Sequence, residues 1–123
     1  MSGNSLFLDT NIILYYLSGD DTLTPLMEEN KLFVSVITEI ELLSFHSIKS
    51  KEIHNIRTFL NFCSVKNISD EIKETAIKIR REFKMKLPDA IILAAASALK
   101  IPLITSDSDF REIEYADIIF YEK

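Results

Sequence analysis

The sequence predicts an α/β fold with three layers, α/β/α, around a central parallel sheet of about five strands. Three observations predict it. Short apolar runs of strand length alternate with longer segments of helical periodicity, which implies βαβ units and a sheet covered by helices on both faces. The 123 residues, 47% hydrophobic and 27% charged, suffice for one core. Only three prolines occur, with no Ser/Gly-rich linker and no internal repeat, so residues 1–123 are expected to form a single domain.

The elements follow in order. Ser5-Leu-Phe-Leu reads as a first strand that ends at Asp9-Thr10-Asn11, residues suited to turns and helix starts. Ile12 to Leu17 then reads as a buried helix. Thr24-Pro25 reads as an N-cap followed by proline at the first helical position, which opens a short helix through Glu29. Leu32 to Val36 is a second strand, and Thr38 is expected to open a helix carrying Ile40, Leu43 and Ser47. Ile53, Ile56, Leu60 and Cys63 recur at helical spacing on one apolar face. Val65 to Ile68 is a third strand. Ser69 caps the next helix, where Ile72, Ala76, Ile79 and Phe83 share a face. Pro88 starts a helix through Leu99, Pro102 to Thr105 is a fourth strand, and Ile118 to Tyr121 is a fifth.

Scarcities narrow the chemistry. The two glycines, Gly3 and Gly19, cannot build a glycine-rich phosphate cradle. One cysteine, Cys63, excludes an intrachain disulfide and a cysteine zinc site, and two histidines, His46 and His54, exclude a three-histidine site. Carboxylates remain plentiful: 19 Asp and Glu oppose 14 Lys and Arg. No basic segment precedes an apolar stretch at the N-terminus, and Ala90 to Leu99 is about half a membrane span. A soluble, cytoplasmic protein without membrane contact is expected. The net charge of −5 hides a segregation, because Lys49 to Lys86 holds ten basic and five acidic residues while the rest holds four and fourteen.

In open parallel sheets the site lies beyond the carboxyl ends of the strands. Five acids pass that filter. Asp9 follows the first strand, Glu41 is expected in the first turn of the helix after the second, and Asp107 and Asp109 follow the fourth. Asp89 opens the helix that leads back to the fourth strand. Each has a structural explanation taken singly: Asp9 as an N-cap, Thr38-x-x-Glu41 as a capping box, Asp89 as a helix-dipole partner, Asp107 and Asp109 as turn residues. Gathered on one rim, they repel. A carboxylate pair at 5 Å and an effective dielectric of 20 costs about 3 kcal/mol, more than a cap contributes. Such crowding calls for raised pKa values or a hard divalent cation, Mg²⁺ or Mn²⁺, and suits metal-assisted phosphodiester hydrolysis.

Four segments then carry a resemblance: Leu8-Asp9-Thr10-Asn11, Ser35-Val36-Ile37-Thr38-Glu39-Ile40-Glu41-Leu42, Leu87-Pro88-Asp89 through Ala96, and Leu103-Ile104-Thr105-Ser106-Asp107-Ser108-Asp109-Phe110. In this order and spacing, over essentially the whole chain, the sequence resembles a PIN domain. It resembles especially the small stand-alone kind found as the toxin of VapBC-type pairs. The resemblance implies a PIN-like fold and an acidic quartet of Asp9, Glu41, Asp89 and Asp107. It implies Mg²⁺- or Mn²⁺-dependent cleavage of single-stranded RNA that leaves a 5′-phosphate. Asp9 and Asp89 would be the most direct metal ligands, and Glu41 and Asp107 would complete the metal pocket or hold metal-bound waters. Thr10, Asn11, Thr105 and Asp109 would support it, and Phe110 would pack. Glu39 departs from the family pattern, which leaves either two glutamates competing near the pocket or a Glu39 that faces solvent. A homodimer and an antitoxin partner are implied in the same way.

Arg80, Arg81, Lys84 and Lys86 crowd the approach to Asp89. They read either as a solvated helix face, with Arg80 opposite Glu82, or as contacts to RNA backbone. Tyr15, Tyr16, Phe59 and Phe62 are assigned to core packing or a dimer face, Cys63 to the core, and the histidines to the surface. A receiver-type module, suggested by Lys100-Ile101-Pro102, lacks its second early acid and its phospho-acceptor. A dehalogenase-like phosphatase lacks its second aspartate because Asn11 stands there. A non-catalytic PIN-like module that binds RNA or protein is the alternative function.

Overall fold

The computed structural model describes residues 4–123, so Gly3 lies outside the described residues. Five strands form one sheet: β1 (Ser5–Leu8), β2 (Lys31–Ser35), β3 (Cys63–Lys66), β4 (Leu103–Thr105) and β5 (Ile118–Phe120). Their order is β3-β2-β1-β4-β5, and every neighbouring pair is parallel. Six helices cover it: α1 (Thr10–Leu17), α2 (Thr24–Glu29), α3 (Val36–Leu43), α4 (Ser50–Leu60), α5 (Asp70–Glu82) and α6 (Leu87–Leu99).

The period of two along each strand divides the core between two faces. Leu6, Leu8, Leu32, Val34 and Ile104 point to one side, where α1, α2 and α4 contribute Ile12, Ile13, Met27, Ile56, Phe59 and Leu60. Phe7, Leu103 and the half-buried Phe33 point to the other, against Ile72, Ala76 and Ile79 of α5 and the continuous apolar run Ala90–Ala96 of α6. This is the three-layer α/β/α arrangement that the alternation of elements predicts.

Several boundaries differ from expectation. Thr24 does not cap α2: it is the first helical residue, Leu23 is the cap without a side-chain bond, and a 3-10 turn over Asp21–Leu23 leads in. Thr38 does not open α3. Strand β2 passes into the helix with no loop, and buried Ser35 is the cap, its Oγ accepting from the Ile37 N–H at 3.1 Å. Val36 therefore belongs to the helix, and Glu41 falls in its second turn. Ser47 lies beyond the helix with φ of 66°. Cys63 starts β3 instead of continuing the α4 face, and Ile68 is an exposed residue outside that strand. The Ser69 cap is as expected, its Oγ accepting from the Ile72 N–H at 3.1 Å. No helix of the described residues is long and apolar enough to cross a membrane.

Candidate active site

Strand order reverses between β1 and β4, the crevice where an open α/β sheet exposes its ends. Asp9 leaves β1 there and caps α1. Its side chain is only 4% exposed, with one carboxylate oxygen accepting from the Thr10 N–H at 2.8 Å and the other from Thr105 Oγ1 at 2.7 Å. Thr105 is fully buried at the end of β4, so this bond ties the two central strands across the crevice. Thr105 Oγ1 in turn accepts from the Asp107 N–H at 3.0 Å, and the Asp107 carboxylate accepts from the Asp109 N–H at 2.9 Å, holding a 3-10 turn over Ser108–Phe110. Phe110 is fully buried, the packing role expected of it.

Glu41 arrives from α3. Thr10 Oγ1 donates to its Oε1 at 2.9 Å, and buried Thr38 lies 3.0 Å from the same Thr10 hydroxyl. The capping box expected between Thr38 and Glu41 is thus replaced by a Thr38–Thr10–Glu41 chain across two helices. The physical reason is the early helix start: three residues apart inside a helix, Thr38 and Glu41 share a face turned toward α1. Thr38 is a site residue that sequence reasoning assigned elsewhere; its spacing from Glu41 was the available signal. Asp89 stands in the first turn of α6.

Asp9, Glu41, Asp89 and Asp107 line one pocket of about 250 Å³, together with Thr10, Asn11, Leu14, Leu42 and Phe45. Glu41 lines this pocket and Glu39 is not among its lining residues. Asp109 is exposed beside the pocket, and single carboxylate oxygens of Asp89, Asp107 and Asp109 come within 4.8 Å of one another.

The electrostatics follow from this crowding. Burial pushes the Asp9 carboxyl above the ordinary range, and the charges of Asp107 and Glu41 add to the push, while the Thr105 and Thr10 bonds oppose it. Asp89 is raised to about 6 by burial first and then by Asp9 and Asp107, with Lys86 opposing. Clustered, partly desolvated carboxylates with only oxygen donors fit a hard divalent ion better than a softer one, and this donor set fits Mg²⁺ or Mn²⁺.

The basic residues divide. Lys86 lies near enough to Asp89 to favour its charged form. Arg80, Arg81 and Lys84 are exposed with it around a separate shallow depression beside Glu82, Phe83 and Met85. Glu82 does not serve Arg80; it accepts from the Tyr115 hydroxyl at 2.8 Å. Tyr16 packs on Phe59 at 5.6 Å and Tyr15 on Tyr121 at 6.5 Å, whereas Phe62 is exposed. Cys63 is half-buried with its thiol pushed up to about 12 by burial, so it stays protonated and unreactive.

Comparison with known proteins agrees with this architecture. Residues 6–115 match the PIN domain. The chain is 25% identical to Ribonuclease VapC2 of Methanocaldococcus jannaschii, over 97% of this chain and 95% of that protein. It superposes on a toxin–antitoxin complex from Klebsiella pneumoniae with a TM-score of 0.81 and 33% identity, covering 96% of this chain and 99% of that chain. VapBC2 from Rickettsia felis, bound to a promoter DNA fragment, gives the same TM-score at 21% identity, covering 96% and 99%. The chain belongs to the PIN domain family, with the fold seen in VapBC-type complexes.

Proposed function

We propose that this protein is a divalent-metal-dependent endoribonuclease that cleaves single-stranded RNA, and that it is the toxin of a toxin–antitoxin pair. The convergence of Asp9, Glu41, Asp89 and Asp107 on one pocket carries the reading. Similarity to Ribonuclease VapC2 and to toxin–antitoxin complexes supports it.

In this reading Asp9, Asp89 and Asp107 would hold the cation, with Asp109 close to Asp89 and Asp107 and Glu41 lining the same pocket. When bound, Mg²⁺ or Mn²⁺ supplies Lewis-acid stabilisation of the phosphate and a hydroxide nucleophile near neutral pH. The chain's own work is positional. Thr105 and the Thr10 N–H hold both oxygens of Asp9, so its carboxylate is fixed before the ion arrives. Thr10 holds Glu41 in the same way. Glu41 then accepts a proton from water or orients it beside the scissile phosphate. Lys86, with Arg80, Arg81 and Lys84 beyond it, offers charge to the RNA backbone. Asn11, exposed on the rim, offers an amide to the substrate. A cytoplasmic homodimer, silenced by an antitoxin that covers the acidic pocket, completes the proposal.

Purified protein incubated with single-stranded RNA and Mn²⁺ tests this. Cleavage that requires Mn²⁺ or Mg²⁺ and is lost in Asp9→Asn and Asp89→Asn is the expected result. Equal cleavage by wild type and Asp89→Asn overturns it, as does no cleavage of any single-stranded RNA pool with either ion.

A further inference from the structure

We infer that Phe45 is a stacking platform for an unpaired base next to the scissile phosphate, so that the pocket selects single-stranded RNA by an aromatic face as well as by its charge. The inference rests on the nuclease reading and deepens it. Phe45 is 63% exposed, yet it lines the same pocket as the four acids. Its backbone is held on both sides. The Ser44 N–H donates to Ile40 O at 3.0 Å, closing the end of α3, and the Ile48 N–H donates to Phe45 O at 3.2 Å, closing the next turn. The ring therefore sits four residues beyond Glu41 on an anchored stem, and its exposed surface adds little to the core.

A solvated phenyl ring alone carries no function, and this protein provides the contrast. Phe62 is 80% exposed, but it directly precedes β3 and so lies at the amino edge of the parallel sheet. Asp9 and Asp107 follow β1 and β4 at the carboxyl edge, and Phe45 shares their pocket. A cluster of carboxylates with a cation recognises any phosphodiester. Paired RNA keeps its bases stacked inside the helix, whereas a single strand offers open π-faces that aromatic side chains bind with little regard to sequence. An exposed ring at the mouth of a phosphodiester pocket supplies that discrimination.

The test uses the full chain, a fluorescent single-stranded RNA of defined cut site, and Mn²⁺. Phe45→Ala is expected to raise KM about ten-fold or more with a smaller change in kcat, the effect of losing one stacked base. Phe45→Trp and Phe45→Tyr restore KM, Phe45→Leu does not, and Phe62→Ala matches wild type. Abasic substitutions flanking the cut weaken wild type at one position and leave Phe45→Ala indifferent there. Thermal melting of every variant stays near wild type, which separates stacking from folding. If wild type cleaves and Phe45→Ala cleaves with unchanged KM, the inference falls while the nuclease reading stands. If Phe45→Ala instead loses only binding of an antitoxin, a protein is the occupant and the inference is likewise overturned. If wild type cleaves no RNA, both fall together.

Discussion

Asp89 gives the site a pH signature that needs no substrate to observe. Its folded-state pKa is raised from 3.8 to about 6, so between those values the folded protein holds a proton that the unfolded chain has released. Stability contributed by this group therefore falls as pH rises through that window and remains at the lower level above it. Asp89→Asn removes the charge. It is expected to stabilise the metal-free protein at pH 7 by about 1 kcal/mol, a figure already discounted for the partial exposure of the group. The gain should vanish as pH approaches 4. Urea denaturation in EDTA at the two pH values checks it, and a gain independent of pH contradicts the assignment. Asp9 was visible in the sequence as an acid just after a strand. Its partner Thr105, 96 positions away, was visible only as a polar neighbour, because the bond between them exists only once β1 and β4 are side by side.

Helix starts show where sequence signals succeed and where they mislead. Ser69 before an amphipathic run marked α5 to the residue, since loop, cap and periodicity agreed. Ser35 was passed over because β2 runs straight into α3, and Thr38 with Glu41 imitated a capping box. The Cys63 boundary failed for a related reason: its spacing continued the α4 face, and no glycine or proline marked the turn. The two serines predict different consequences. Ser69→Ala should lower stability by about 1 kcal/mol and leave cleavage unchanged. Ser35→Ala should cost about 1–2 kcal/mol, being buried, and should also lower cleavage, because the start of α3 sets where Glu41 meets Thr10. Parallel denaturation and RNA cleavage assays distinguish them; equal losses of activity would mean that α3 does not position Glu41.

Seen whole, the chain's charge segregation is less simple than the sequence suggests. The basic stretch from Lys49 to Lys86 spans α4 and α5, yet these helices pack on opposite faces of the sheet. It is thus divided between the two faces, and Lys86 at its end lies near enough to Asp89 to favour the charged form of that acid. The acidic pocket itself couples the whole fold to cation binding. A ligand that binds only the folded state adds about 2.7 kcal/mol at a hundred-fold excess over its dissociation constant. Mn²⁺ or Mg²⁺ is therefore expected to raise the melting temperature, EDTA to reverse the rise, and Asp89→Asn to lose most of it. A melting temperature indifferent to both ions would contradict a metal-holding pocket. The layers and the strand set were legible because apolar period is a local pattern, and the acids at strand ends could be picked out by position. The second-turn place of Glu41, the Thr38–Thr10–Glu41 chain and the exposed ring of Phe45 depend on how α1, α3 and the following turn meet, which no local pattern encodes.

The Thr105–Asp9 bond also bears on synthesis of the protein. A ribosome that has reached residue 100 has already made Asp9, Glu41 and Asp89, three of the four acids. It has made neither β4, which flanks β1, nor the hydroxyl that orients Asp9, nor Asp107. Until β4 emerges, β1 is an unpaired edge and the pocket has only part of its wall. A chain ending before β4 lacks both the hydroxyl that orients Asp9 and one of the four acids of the pocket.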